Sequence, residues 1–435
     1  MHERSDDNHD RTNGRGGVDR RFDVVVYGAT SFVGQLVVDH LLDRHGTGGN
    51  DAEGGGLRWA VAARNPQKLD ALLTERGVEL PTIVANADDR DALDTMVADT
   101  SVVISTVGPY ALYGSKLVAA VAAAGTDYCD LTGEPHWVQA MMDAHQEQAL
   151  ETGARIVPSC GFDSIPSDLG VWFTQQEAHR RLGRYCDRIG MRVKGSSGGV
   201  SGGTVASGMN VMEELANDPS LRKVLGNPYA LAPEGQRRGV RQPNVLAPTV
   251  DELSGSWVAP FIMGPVNSKV VHRTHALLGR PWGDEFRYDE AMMTGSGPLG
   301  LVKAATVAAG MAGMAGASAI GPIRRQLQER VLPKPGTGPD EATREAGFFN
   351  IRFYGRTEDG RTITTKVTGD RDPGYGSTAK MLGETALAFL DPEAANDSHN
   401  LPSAGFLTPA IAFGDALIER LVAHAGLTFT VLDET

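Results

Sequence analysis

Seven consecutive residues, Gly28, Ala29, Thr30, Ser31, Phe32, Val33 and Gly34, have the types and spacing to hold a pyrophosphate. Gly28 lets the chain turn sharply, Gly34 lets a helix lie close to its neighbours, and free amides at the start of that helix can bind an anion. Ser31 stands where a middle glycine is usual, so the turn has less room but gains a hydroxyl that can bond phosphate. A plain tight turn is the competing reading, because a glycine pattern alone is weak. Arg64 and Lys68 follow a second apolar run. An acid there would bond the ribose 2′-OH of NAD, whereas an arginine can pair with a 2′-phosphate. NADP(H) is therefore the expected cofactor, and a solvated helix start the alternative. Ser105, Thr106, Gly108, Pro109 and Tyr110 close a further apolar run and are placed to line that cofactor. Tyr110 is the one phenol of its loop, a candidate proton donor or a packing residue. Asp163 and Asp168 sit in GFDSIPSDLG, where position favours a site role for Asp163 and helix capping for Asp168.

The elements that must position these residues are legible from periodicity. The run Asp23 to Tyr27 ends at Gly28, and a helical pattern carrying Val33, Leu36, Val37, His40 and Leu41 follows at once. Further strands are expected at Leu57 to Arg64, in ELPTIVAN, at Val102 to Val107, in TDYCDLT and in ARIVPSC, with helices between them. Repeated strand and helix units imply an α/β domain, a Rossmann-type doubly wound parallel sheet. Ligands of such sheets lie beyond the carboxyl ends of the strands, where the singled-out residues fall. From about Gly170 the rhythm stops, and RIGMRVKG with the hairpin GFFNIRFYGRTEDGRTITTKVTG implies a second α+β domain built on a mixed or antiparallel sheet. SSGGVSGGTVASG in that domain is either an anion-cupping loop on the substrate side or a flexible linker. The expected division is a disordered tail over 1–21, an NADP-binding domain over 22–170, a substrate domain over 171–373, and a segment over 374–435 that packs back on the first domain.

GATSFVG, AARNPQKL, VVISTVGPY, AAGTDYCDLTGE and IVPSCGFDSIPSDLG together resemble the saccharopine dehydrogenase-like oxidoreductases, most strongly the actinobacterial trans-acting enoyl reductases. The resemblance covers most of Phe22 to Gly170 and reappears at Ser201 to Glu214 and at Gly405 to Leu421. It implies an NADP-binding fold and a discrete reductase that works beside a polyketide synthase on an acyl or polyketide intermediate of lipid or glycolipid synthesis, the substrate being carrier-bound. Two other readings stay open: an amino-acid oxidoreductase like saccharopine dehydrogenase, and a non-catalytic NADP-binding protein associated with lipid.

Composition narrows the remaining classes. The 435 residues are 41% hydrophobic and 22% charged, as in globular proteins. A formal net charge of −13 without a basic block argues against a nucleic-acid partner. Cys129, Cys160 and Cys186 show neither paired metal spacing nor an even count, so no disulfide framework and no metal is expected, and a cytoplasmic location fits. His272 and His275 are three apart without a matching acid or thiol, which reads as surface histidines rather than a metal pair. Residues 304–323 carry no charge but are dominated by Ala and Gly, too weakly apolar for ready insertion. Peripheral contact with the inner face of the plasma membrane is one expectation for them, a buried or surface helix the other.

Overall fold

Val24 and Val26 point to one face of β1 (Phe22–Tyr27), Val25 and Tyr27 to the other, and both faces are buried. That is the environment of a central parallel strand. The computed structural model of the chain describes residues 19–48, 56–198, 202–319, 338–394 and 401–434. Most of the expected tail, most of the loop between the first two strand units, positions 199–201 within the Gly/Ser-rich stretch and positions 320–323 lie outside the described residues.

After β1 come α1 (Phe32–His45), β2 (Trp59–Ala63), α2 (Pro66–Arg76), β3 (Thr82–Val84), α3 (Arg90–Ala98), β4 (Thr100–Ser105), α4 (Tyr110–Tyr113), α5 (Ser115–Ala124), β5 (Asp127–Asp130), α6 (Pro135–Thr152) and β6 (Arg155–Val157). The chain continues through α7 (Ile165–Leu182), β7 (Arg188–Ser197), α8 (Gly202–Asn217), α9 (Leu221–Gly226), β8 (Thr249–Val250), β9 (Trp257–Pro260), α10 (Gly264–Leu277), β10 (Arg287–Gly295) and α11 (Gly297–Ala319). It ends with α12 (Glu341–Glu345), β11 (Phe348–Arg356), β12 (Thr362–Gly369), α13 (Thr378–Phe389), β13 (Gly405–Phe406), α14 (Pro409–His424) and β14 (Leu427–Glu434).

The first sheet runs β13-β6-β5-β4-β1-β2-β3, and every neighbouring pair is parallel. The chain winds outward from β1 to β3, then returns to the opposite side of β1 as β4. The strand order therefore reverses between β1 and β4, where such sheets bind ligands. The second sheet runs β14-β12-β11-β7-β10-β9-β8 and is mixed, since β7 and β10 are parallel while its other pairs are antiparallel.

Two apolar cores hold this arrangement. One joins Val25, Val103, Tyr128 and Ile156 to α3, α5 and α6. The other starts on the opposite face of the first sheet, passes through α1, α7, α13 and α14, and continues into Met191, Val193, Phe353 and Val367 of the second sheet. The sheets thus share a core instead of meeting at a polar seam.

The C-terminal segment divides between them. β13 extends the first sheet beside β6, α13 packs on α1, and β14 pairs with β12 in the second sheet. Glu384 of α13, fully buried, fastens this segment to α1 by accepting from Arg44 Nε at 3.1 Å and lying 2.9 Å from His40 Nε2, while Arg420 of α14 donates from 3.1 Å. A buried carboxylate is tolerated only with such partners. The neighbouring cations hold its carboxyl below the ordinary value against the opposing effect of burial.

Candidate functional site

Gly28 has φ +91, and a Cβ there would stand 2.6 Å from Thr106 Oγ1 and 2.7 Å from Val107 Cγ2. At Gly34 a Cβ would stand 2.2 Å from the Gly28 carbonyl oxygen. The turn and the start of α1 are therefore packed too closely to admit a side chain at either end, which fits a turn that presents main-chain amides to a pyrophosphate. Ser31 caps α1, its Oγ accepting from Gly34 N at 2.9 Å. It also bonds Thr106 Oγ1 at 2.9 Å, and Thr106 Oγ1 in turn donates to the Gly28 carbonyl from 3.0 Å. This chain of bonds ties the β1 turn to the β4 exit through Ser31, the hydroxyl expected to bond phosphate. Ala29 is likewise committed, its amide donating to the Ala62 carbonyl from 3.1 Å. Thr30 and Val33 are half-buried at the turn. Phe32 contributes its amide position, while its ring packs on Tyr375 at 4.9 Å and lies under Arg344 at 5.5 Å.

Arg64 stands exposed where β2 ends, with no ion pair among the described residues. Lys68 is exposed in the first turn of α2, its amide capped by Asn65 Oδ1 at 2.9 Å. An unpaired guanidinium beyond the strand next to β1 fits a ribose 2′-phosphate.

At the β4 exit, Gly108 is exposed and Pro109 half-buried, but Tyr110 turns inward. Its phenol donates to the Ser105 carbonyl from 3.0 Å and accepts from Leu131 N at 3.1 Å. Burial, reinforced by nearby Asp130, pushes the phenol well above its ordinary pKa. The proton-donor expectation for Tyr110 does not fit this geometry, which makes the ring a strut between the loops after β4 and β5.

Those loops are braced by a second buried group. Asp130 accepts from Thr132 N, Ser159 N and Tyr128 Oη, each at 2.9 Å, and burial raises its carboxyl to about 6. Ser159, with φ +65, adds a bond from Oγ to the Thr132 carbonyl at 2.7 Å. The exits of β5 and β6 are thereby locked together, at the cost of one strained residue.

Residues that sequence reasoning passed over build the roof of the cleft. Glu134, fully buried, accepts from Tyr110 N and Ala111 N at 2.9 Å and from Ser207 Oγ of α8 at 2.8 Å. Next to it His136 Nε2 meets Glu214 of α8 at 2.6 Å. At the other end of α8, Gly202 N donates to Tyr375 Oη from 2.7 Å, and that tyrosine packs on Phe32 at the start of α1. α8 therefore crosses the carboxyl edge of the first sheet from the β1 exit to the β5 exit, over the point where the strand order reverses. The motifs TGE and MEE contain these acids, but a single chain gives no sign that they share partners 73 and 78 residues apart.

Asp163 is half-buried two residues before α7 and engaged within the protein, while Phe162 beside it donates its amide to Thr378 Oγ1 from 3.0 Å. Asp168 caps, though not its own helix: it accepts from Thr274 Oγ1 and from Ala410 N at 2.9 Å in the first turn of α14, and burial raises it to about 6. The surface reading of His272 and His275 is overturned. Both are buried on α10, His272 4.6 Å from Tyr229 and His275 stacked 4.8 Å from Trp282, because α10 lies beneath the chain that leads to β8. Among the described residues no group of three or more His, Cys, Asp or Glu is placed to hold a metal, and no helix is long and apolar enough to cross a membrane.

Residues 24–157 match the family model for the saccharopine dehydrogenase NADP-binding domain. The chain is 42% identical over 424 residues to a putative trans-acting enoyl reductase of Mycobacterium tuberculosis, covering 93% of this chain and 96% of the relative. It is 38% identical to a trans-acting enoyl reductase of Mycobacterium bovis at the same coverage. Among solved structures, apo saccharopine dehydrogenase (L-Glu forming) of Saccharomyces cerevisiae superposes with a TM-score of 0.53 over 95% of this chain and 100% of that one, at 14% identity, a likeness of fold alone. With near-complete coverage at 42% identity joined to an NADP-binding first domain, the chain belongs to the trans-acting enoyl reductase family, NADP-dependent oxidoreductases of saccharopine dehydrogenase-like fold.

Proposed function

We propose that this chain reduces the carbon–carbon double bond of an α,β-unsaturated acyl thioester, carried by a polyketide synthase, during synthesis of a lipid or glycolipid. The observation that carries the reading is the 42% identity, over nearly the whole of both chains, to a relative named a putative trans-acting enoyl reductase. The close turn from Gly28 to Gly34 supports it, since pyrophosphate can sit on the amides of the first α1 turn while Arg64 meets the 2′-phosphate. Bound NADPH supplies the hydride that goes to the β carbon.

The chain's own part is to position. α8 closes the cleft over the exits of β1, β4 and β5, which keeps the reacting atoms oriented. The proton for the α carbon comes from water in this reading, because the hydroxyl protons of Tyr110, Ser159 and Ser207 are already given to main-chain or carboxylate oxygens. An amino-acid oxidoreductase would need cations free to clamp carboxylates. The buried cations in this half of the molecule are committed instead: Arg155 to Asp127, Lys269 to the Leu225 and Pro265 carbonyls, Arg273 to those of Leu231 and Phe406.

The test is NADPH consumption, with product mass, on an enoyl chain attached to its cognate synthase, beside an assay of saccharopine oxidation. Reduction of the double bond is expected; saccharopine turnover without it would transfer the assignment to the amino-acid enzyme.

A further inference from the structure

α11 runs for 23 residues with Lys303 as its one charge, and it rests against β9, β10 and α8. Much of it faces outward: Leu299 is 66% exposed, Val302 60% and Met314 53%. An apolar surface of this kind ordinarily marks a place where something binds. Between α11 and the carboxyl ends of β7 and β10 lies a groove of about 550 Å³, lined by Met293, Val302, Thr306, Val307, Lys194 and Lys303 among others. That size is within the range of about 300 to 1,000 Å³ typical of small-molecule sites.

The lining sorts itself chemically. Thr306 gives its hydroxyl to the Val302 carbonyl at 2.9 Å, and nearby Thr294 bonds the carbonyls of Gly300 at 2.9 Å and Trp257 at 3.0 Å. Both threonines thus have their polar ends turned to the main chain. Lys194 and Lys303 are exposed and, among the described residues, have neither an ion pair nor a side-chain hydrogen bond. Apolar walls with two uncommitted ammonium groups match one kind of ligand, a hydrocarbon chain that ends in an anion.

We propose that this groove binds a single long acyl chain with an anionic head, the chain along Met293, Val302 and Val307 and the head between Lys194 and Lys303. The groove shares no lining residue with the nucleotide cleft, and its occupancy does not depend on the proposed reduction. The same chemistry is offered by a free fatty acyl chain and by an anionic membrane lipid.

Full-length protein is titrated calorimetrically with palmitate below its micellar concentration, and sedimented with phosphatidylglycerol vesicles. The same is done with Lys194→Glu/Lys303→Glu and with Val307→Trp, which fills the groove; NADPH titration checks that each variant is folded. One palmitate per chain is expected, weakened roughly tenfold or more in both variants with NADPH affinity unchanged. Vesicle binding that disappears in the same variants supports the site with a membrane lipid as the source; palmitate binding alone supports it with a free chain. Absence of saturable binding of either probe, or binding that is equal in the parent and both NADPH-competent variants, overturns the proposal.

Discussion

Two hydroxyls at the candidate phosphate turn bond each other, Ser31 and Thr106, and Thr106 also reaches the Gly28 carbonyl, so the turn is braced across β1 and β4 and charge recognition falls to one cation. Arg64 is that cation, exposed and without an ion pair among the described residues. Replacing it by alanine is expected to weaken NADPH by about 1.5 kcal/mol, roughly tenfold, at the low end for a charged hydrogen bond because solvent screens an exposed pair. NADH affinity is expected to stay constant. Fluorescence titration of both cofactors into parent and Arg64→Ala decides this: equal affinities in the parent would remove the 2′-phosphate from Arg64. The choice of cofactor is legible from residue types alone, whereas the bond between Ser31 and Thr106 is not, since it joins residues 75 apart.

α8 joins the two sheets at the site, and its hold on the first domain is concentrated in a few contacts. Glu134 carries one of them, accepting from Ser207 Oγ, while it also accepts from Tyr110 N and Ala111 N at the β4 exit. Ser207→Ala is expected to weaken NADPH binding several-fold by loosening the roof, and to add nothing further in a Glu134→Ala background, where its partner is already gone. A double-mutant cycle on NADPH affinity is expected to show coupling of about 1 kcal/mol. Strictly additive losses would mean that α8 is not fastened through this pair. By sequence alone, the Gly/Ser-rich approach to this helix reads equally as an anion-cupping loop or as a linker; in the fold the helix begins at Gly202, and the amide of Gly202 is held by Tyr375 Oη rather than left free.

Across the whole molecule, buried titratable groups make stability depend on pH in opposing ways. Glu290 on β10 is fully enclosed; it accepts from Tyr288 Oη at 2.6 Å and from Asn267 Nδ2 at 3.0 Å, faces Ser167, and has Asp289 beside it. Burial raises its carboxyl from 4.5 to about 7 despite those donors. Between these values the folded state keeps a proton that the unfolded state releases, so this group's contribution is complete below pH 4.5 and declines as pH rises toward 7. His272 and His275, lowered by burial to about 3 and about 4, act in the other direction: the unfolded chain takes up protons below 6.5 that the folded one refuses, and stability falls as pH falls. Glu290→Gln isolates the first effect. Relative to the parent, the variant is expected to gain on the order of 3 kcal/mol between about pH 4.5 and about pH 8, because each tenfold difference in proton affinity between the folded and unfolded states is worth about 1.4 kcal/mol. Urea midpoints at the two pH values check this, and a difference that does not change with pH would show that Glu290 ionises normally in the folded protein.

The strand at β1, its turn and α1, the parallel rhythm up to β6 and the hairpin between β11 and β12 are all readable from the amino-acid order. Each rests on periodicity or turn chemistry among residues within a few positions of one another. The candidate nucleotide turn is readable for the same reason, because a βα turn carries its glycines and its helix start in one short stretch. What packing alone decided are partnerships between distant residues. Asp168 caps a helix far along the chain, bonding Ala410 across a separation of 242, and Tyr110 became a strut because β4 and β5 lie side by side. His272 and His275 went inside because the chain from Tyr229 onward folds over α10. β14 joined the second sheet because β12 offered a free edge. Local pattern sets which backbone a segment can adopt; which polar groups meet, and so which protons remain for a ligand, follows only once the elements are packed.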